Sequence, residues 1–377
     1  MPTLEVLPSQ EKPSEKPGEV FACAFTQDGA LALTGGWDGH LRLWESDSGR
    51  QVASFPAASK PLSACAISPD GKHWLSGSMD GVLSVWDPVS HLQTIQCLAH
   101  TRPVAAITFA PDGQTIGTAG WDRKLSLRGA ATIRDGQTLN GHSDLVAGCR
   151  FLPDMIHFMS WSHDGSVRVW DISTGSEVAA MPTQNDRVNS AAVSPDGKWI
   201  VSATRDKEIK LWEWREEREI KTITINAEPR GVFFLPDGAS VVSVDAEGWL
   251  TLFSAPDLET QEEIDTGLPV QCAEVAPVGT VIALGCTDGR VRFVSVGGVE
   301  SAPILASATP TMRKYNSPLG FLFGKNRVRR TFNCTCPACQ KSFELSDDLP
   351  DGPRPCPHCR RRLRFSSNAP VAVGQKD

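Results

Sequence analysis

No apolar run in the 377 residues approaches the roughly 18–20 needed to cross a bilayer as a helix; the candidate near the tail, residues 318–324, is far too short. The stretch from Met1 to Lys12 lacks a basic start and an apolar core, so no secretory signal is expected there. Nucleophile elbows, phosphate-binding glycine loops, open zinc motifs and kinase signatures are all missing, which argues against an enzyme and against a small-molecule substrate. The cysteines show no disulfide logic. Six are scattered (Cys23, Cys65, Cys97, Cys149, Cys272 and Cys286) and read as small buried filler, which together with the metal-type cluster below points to a reducing, cytoplasmic compartment. With 40% hydrophobic and 21% charged residues, the composition is that of a globular protein.

What the chain has is repetition. Acidic turn residues recur at Asp38, Asp80, Asp122, Asp164, Asp206, Glu247 and Asp288, at gaps of 42, 42, 42, 42, 41 and 41 residues. A period near 40–45 marks an array in which each unit is one small sheet. Tight turns such as Pro69-Asp70-Gly71, Pro111-Asp112-Gly113, Pro195-Asp196-Gly197 and Pro236-Asp237-Gly238 precede a strand, the acidic turn follows, and another strand comes after it. Three residues past the acid sit Leu41, Leu83, Leu125, Val167, Ile209, Leu250 and Val291; five past it sit Leu43, Val85, Leu127, Val169, Leu211, Leu252 and Phe293. Between them lie Arg42, Ser84, Ser126, Arg168, Lys210, Thr251 and Arg292, an alternation that predicts a strand with one buried face. Seven such sheets, too thin to stand alone, stabilise one another by closing into a ring, which predicts an all-β, seven-bladed propeller of four-stranded antiparallel blades.

Several of these strands end in Trp44-Glu45, Trp86-Asp87, Trp170-Asp171 and Trp212-Glu213, and Gly141-His142 precedes the fourth unit. On these residues the chain resembles the WD-repeat propellers over roughly residues 19–307. The resemblance implies a buried hydrogen-bonded set of His, Ser or Thr, Asp and Trp within a blade, complete here once, as His142, Ser160, Asp164 and Trp170. The third unit offers His100, Thr118 and Asp122 with Arg128 in place of the Trp; the last has Leu284 and Val294 at the Ser and Trp positions. Blades six and seven are expected to be the weakest. Either residues 3–7 or residues 302–306 could complete the last blade. Local completion by 302–306 is the expectation, because residues 8–19 read as a tether too poor in apolar side chains to fold.

Beyond the repeats lies a second cysteine population. Two residues separate Cys336 from Cys339 and two separate Cys356 from Cys359, with 16 residues between the pairs. This spacing is a zinc-ribbon signature: each short turn aims two thiolates at one ion, and four close a tetrahedron, leaving no place for a substrate water. The site should be structural, holding one Zn²⁺, with iron the less favoured ion; Cys334 and His358 are left outside the ligand set. The segment resembles small ribbons found in bacterial proteins. The expected organisation is a flexible segment 1–18, a propeller 19–307, a basic linker 308–330, a zinc ribbon 331–365 and a disordered tail 366–377.

Charge is split unevenly. From Thr311 to Phe365 there are twelve Lys or Arg and four Asp or Glu, a net +8; the chain has 37 and 44, so the remainder has 25 and 40, a net −15. Arg360, Arg361, Arg362 and Arg364 are therefore candidates for phosphate contact, and a nucleic-acid-associated adaptor is the alternative reading. The bland account is that these cations offset a thiolate-rich metal site or hold to the acidic propeller. The favoured reading is a non-catalytic scaffold for an unidentified protein partner. Its candidate rim is the column just before the turn acid: Trp37, Met79, Trp121, His163 and Arg205, followed by Ala246 and Thr287. Trp37 and Trp121 could equally pack between blades.

Overall fold

The computed structural model describes residues 3–7, 18–133, 136–182, 186–267, 269–279 and 281–297 with their side chains, and the backbone of strands Ile304–Lys314, Val328–Thr335, Ser342–Ser346, Arg354–Pro355 and Arg362–Ser366. The chain divides into two units, residues 1–300 and 301–377.

The first unit holds seven four-stranded antiparallel sheets. Blade 1 runs through Val20–Phe25, Leu31–Gly36, His40–Glu45 and Gln51–Pro56. Blades 2 to 6 repeat this order over residues 62–98, 104–139, 146–182, 188–224 and 229–265. First strands of neighbouring blades pack side by side around the ring, and that of blade 7 meets that of blade 1, so the propeller is closed. At this seam the thiols of Cys23 and Cys272 lie 3.6 Å apart. The Pro-Asp-Gly turns form as expected: in the first of them, Gly71 has φ +72°, which glycine alone adopts without strain, and its N–H bonds the Ser68 carbonyl at 2.8 Å.

Both apolar columns of the third strands are buried throughout. The polar column between them is more enclosed than a one-faced strand would give. Ser84, Ser126, Lys210 and Thr251 are buried too, because each blade is covered by a neighbour on either side. Lys210 is fully enclosed, with its ammonium 3.3 Å from Glu208 and 3.6 Å from Glu219.

Two expectations need correction. Residues 302–306 do not complete blade 7. Thr3–Val6 does, pairing antiparallel with Val291–Gly297 from Thr3↔Gly297 to Val6↔Val294. Part of the segment expected to be flexible is thus a strand. The reason is apolar burial: Leu4 is buried in one cluster with Leu250, Val270, Leu284, Val294 and Val296, in which Leu284 and Val294 stand at the Ser and Trp positions of a complete blade. The Leu4 N–H also reaches the Glu262 carboxylate at 3.1 Å.

The second correction concerns the linker. Ile304–Lys314 is one 11-residue strand at the centre of the second unit's five-stranded sheet, and Val328–Thr335 pairs with it, so residues 308–314 and 328–330 are sheet and not connector. A strand of that length has a free edge on each side, and here both are paired. Residues 315–327 and the tail 366–377, apart from Ser366, lie outside the described residues.

Candidate functional site: the rim and the buried polar sets

The rim column is built by one repeated backbone bond. The amide of each rim residue donates to the carbonyl just ahead of its own blade's first strand. These bonds are Trp37 to Glu19, Met79 to Pro61, Trp121 to Pro103, His163 to Leu145, Arg205 to Arg187, Ala246 to Glu228 and Thr287 to Pro269, all at 2.8–3.1 Å. Seven equivalent side chains are therefore held at one end of the ring on rigid turns. Trp37 is 59% exposed and Trp121 42%, which is not the burial expected of a tryptophan wedged between blades. Trp37 touches Phe21 with ring centroids 6.2 Å apart. Met79 and His163 are half-buried, and Arg205 is exposed.

His163 has an enclosed Nδ1 with no hydrogen-bond partner. Burial pushes its imidazole below the ordinary range, and the Arg187 charge adds to this, outweighing Asp144 and Asp186. The ring is accordingly neutral at neutral pH, under the charges of Arg187 and Arg205. Trp249, 41% exposed at the start of blade 6's third strand, also faces solvent. Trp249 follows the turn acid Glu247 by two residues and so stands outside the rim column that precedes it.

The buried sets assemble as the resemblance implies. In blade 4, His142 Nδ1 lies 2.8 Å from Asp164 and Nε2 2.8 Å from Ser160, and Trp170 Nε1 donates to Ser160 at 2.9 Å. Burial alone would raise the Asp164 carboxyl, but hydrogen bonds from His142 and Ser166 more than offset it and hold it far below the usual carboxylate range. Serine, histidine and aspartate in line invite comparison with a hydrolase triad. However, Ser160 is fully buried and already accepts the indole proton, so the set ties strands together. Blade 3 forms the His100–Thr118–Asp122 part at 2.9 Å for each bond, with Arg128 turned to the carbonyl of Ile133 at 2.8 Å. In blade 6 the periodicity singles out Glu247, yet Glu247 is exposed. Asp245 takes its place, accepting the amides of Glu247, Gly248 and Trp249 at 2.9–3.0 Å.

The four candidate zinc ligands Cys336, Cys339, Cys356 and Cys359, with Arg360 and Arg361, lie outside the described residues. Among the described residues no cluster of His, Cys, Asp and Glu could hold a metal ion. The strands flanking the cysteine pairs are described. Thr335 pairs with Ser342 and Pro355 with Arg362, so each Cys-x-x-Cys segment joins two paired strand ends. Against the central strand, Thr335 lies opposite Ser307 and Leu363 opposite Ile304, which brings both junctions to the same end of the sheet. Arg362 and Arg364 are on the last strand.

Comparison with known families agrees with this architecture. The family described as WD domain, G-beta repeat, matches at residues 11–45, 49–87, 91–127, 134–171 and 175–213; these segments hold the first three strands of blades 1 to 5, and from the second segment on each also includes the outer strand of the preceding blade. The chain carries WD40 repeats, and they form a seven-bladed β-propeller. No curated protein gives a significant match. Among the described residues no helix is long and apolar enough to cross a membrane.

Proposed function

We propose that this protein is a non-catalytic scaffold that docks a protein partner on the propeller rim, with a structural zinc ribbon as a second binding module. WD40 propellers commonly serve as protein-interaction scaffolds. The observation that carries the reading here is the exposure of Trp37 and Trp121 on turns pinned by identical backbone bonds. Rigid, exposed aromatics followed around the rim by a histidine and an arginine are the residue types that anchor interfaces. A half-turn of apolar anchors next to cations suits a peptide that carries both apolar and acidic side chains. The basic tail remains a phosphate-binding candidate on its charge alone.

The test is a paired substitution, Trp37→Ala with Trp121→Ala, in the full chain. Affinity capture should lose the partners retained by the wild type by about tenfold or more, the effect of removing an anchor worth roughly 2 kcal/mol. The circular dichroism and melting midpoint should stay put, since neither side chain is buried. Undiminished capture by a folded double variant would remove this rim from consideration.

A further inference from the structure

Blade 2 contains a polar cavity of about 300 Å³ that opens to solvent, and the other blades show what it matches. In blades 3 and 4, His100 and His142 reach from the connection ahead of the blade and bridge the turn acid to the second-strand hydroxyl. The corresponding residue of blade 2 is Ala58. Its amide bonds the Gly39 carbonyl at 3.0 Å, as that of His100 bonds Gly81 at 3.2 Å, so the backbone is placed alike and only the ring is gone. The third strand contracts as well: Ser84 stands where blade 4 has Arg168. The rest of the set is intact. Ser76 is buried and accepts the Trp86 indole proton at 2.9 Å, the bond that Trp170 makes to Ser160. Asp80 accepts from Ser78, but it is exposed, whereas the side chains of Asp122 and Asp164 are only 8% and 5% exposed beneath their histidines.

The cavity therefore presents a carboxylate acceptor and a hydroxyl whose lone pair is engaged by Trp86, leaving its proton to give. Their complement is a small ring with one N–H donor and one acceptor nitrogen in a 1,3 relation. We propose that this cavity is a binding site for a neutral imidazole ring, seated against Asp80 and Ser76 as His142 is against Asp164 and Ser160. The ring could arrive as a free imidazole-type compound or as the histidine side chain of a docked peptide. The inference does not rest on the tryptophan rim and would stand if Trp37 and Trp121 proved silent.

The experiment follows the Trp86 indole N–H resonance of the full chain, and its melting midpoint, during titration above the imidazole pKa. The probes are imidazole, 1-methylimidazole (which lacks the N–H) and N-acetylhistidinamide. Imidazole should shift the resonance saturably and raise the midpoint. Asp80→Ala should weaken binding about tenfold or more, the loss of one hydrogen bond to a charged group, and Ala58→His should abolish it by filling the cavity from within. 1-Methylimidazole should bind as weakly as imidazole binds Asp80→Ala. Response to N-acetylhistidinamide assigns the site to histidine side chains; response to imidazole alone assigns it to small molecules. No Trp86 shift in the wild type, or an equal response in Ala58→His, overturns the proposal. Should Ala58→His fail to fold, an unchanged affinity in Asp80→Ala, an exposed position, does the same.

Discussion

At the scale of single residues, four titratable groups share one direction of shift. Burial holds the His100 imidazole below its ordinary value of 6.5 despite Asp122 nearby, and His163 is lowered in the same sense. For Asp122 and Asp164 burial pushes upward, yet their charged and hydrogen-bonded neighbours, His100 and His142 foremost, bring the net shift below the ordinary 3.8. All four bind fewer protons folded than unfolded, so stability rises with pH through each window. The urea midpoint should be flat from neutrality until the pH nears 9.0, where unfolded thiols ionise while buried Cys65 and Cys149 resist, and on the acid side it should fall in two steps. The first begins as pH drops through 6.5, where the unfolded histidines charge and the folded ones resist; the second lies below 3.8, as the folded carboxylates are finally protonated. His100→Gln should shrink the upper step. A midpoint that climbs between neutrality and pH 5 would contradict this assignment. The complete set of blade 4 was legible as four residue types at fixed offsets. Asp245 was not, since nothing in a periodic column announces that one turn has moved its capping carboxylate two residues back.

At the scale of strands, the closure of blade 7 depends on four residues. Leu4 is buried against Leu284, Val294 and Val296, and Thr3–Val6 covers the edge of Val291–Gly297. Leu4→Asp should destabilise the propeller by about 3 kcal/mol, combining lost apolar burial with an unpaired carboxylate. Removing residues 1–7 should uncover a strand edge and produce oligomers in size-exclusion chromatography. Ile304→Asp should leave the propeller transition where it is; if it moved that transition as far as Leu4→Asp does, the closing strand would be misassigned. The third strands were plain in the sequence because seven repeats of one alternation reinforce each other. The closing strand was ambiguous because residues 3–7 and 302–306 are both short apolar stretches, and only pairing across 288 to 294 positions of chain, from Val6↔Val294 to Thr3↔Gly297, distinguishes them.

At the scale of the whole chain, one ion pair joins distant parts of the propeller. Arg150 in blade 4 and Glu274 in blade 7 stand three blades apart and still meet at 2.8 Å, so their ion pair spans the centre of the ring. The tail is a separate unit. If Cys336, Cys339, Cys356 and Cys359 hold one zinc ion, elemental analysis of the purified chain should find one zinc per molecule. Chelation or Cys336→Ser should then render residues 301–377 sensitive to protease while the propeller's melting transition is unchanged. A colourless, metal-free chain with a protease-resistant tail would sink the zinc assignment. The sequence by itself determined the number of blades, the buried columns and the rim positions, because all of these are properties of a short pattern repeated at nearly constant spacing. Only the tertiary structure decided which terminus closes the ring, that Asp245 replaces Glu247, and that Ala58 leaves a cavity where blades 3 and 4 hold histidine. Those features depend on which side chains meet across separate segments, and local periodicity carries no record of that.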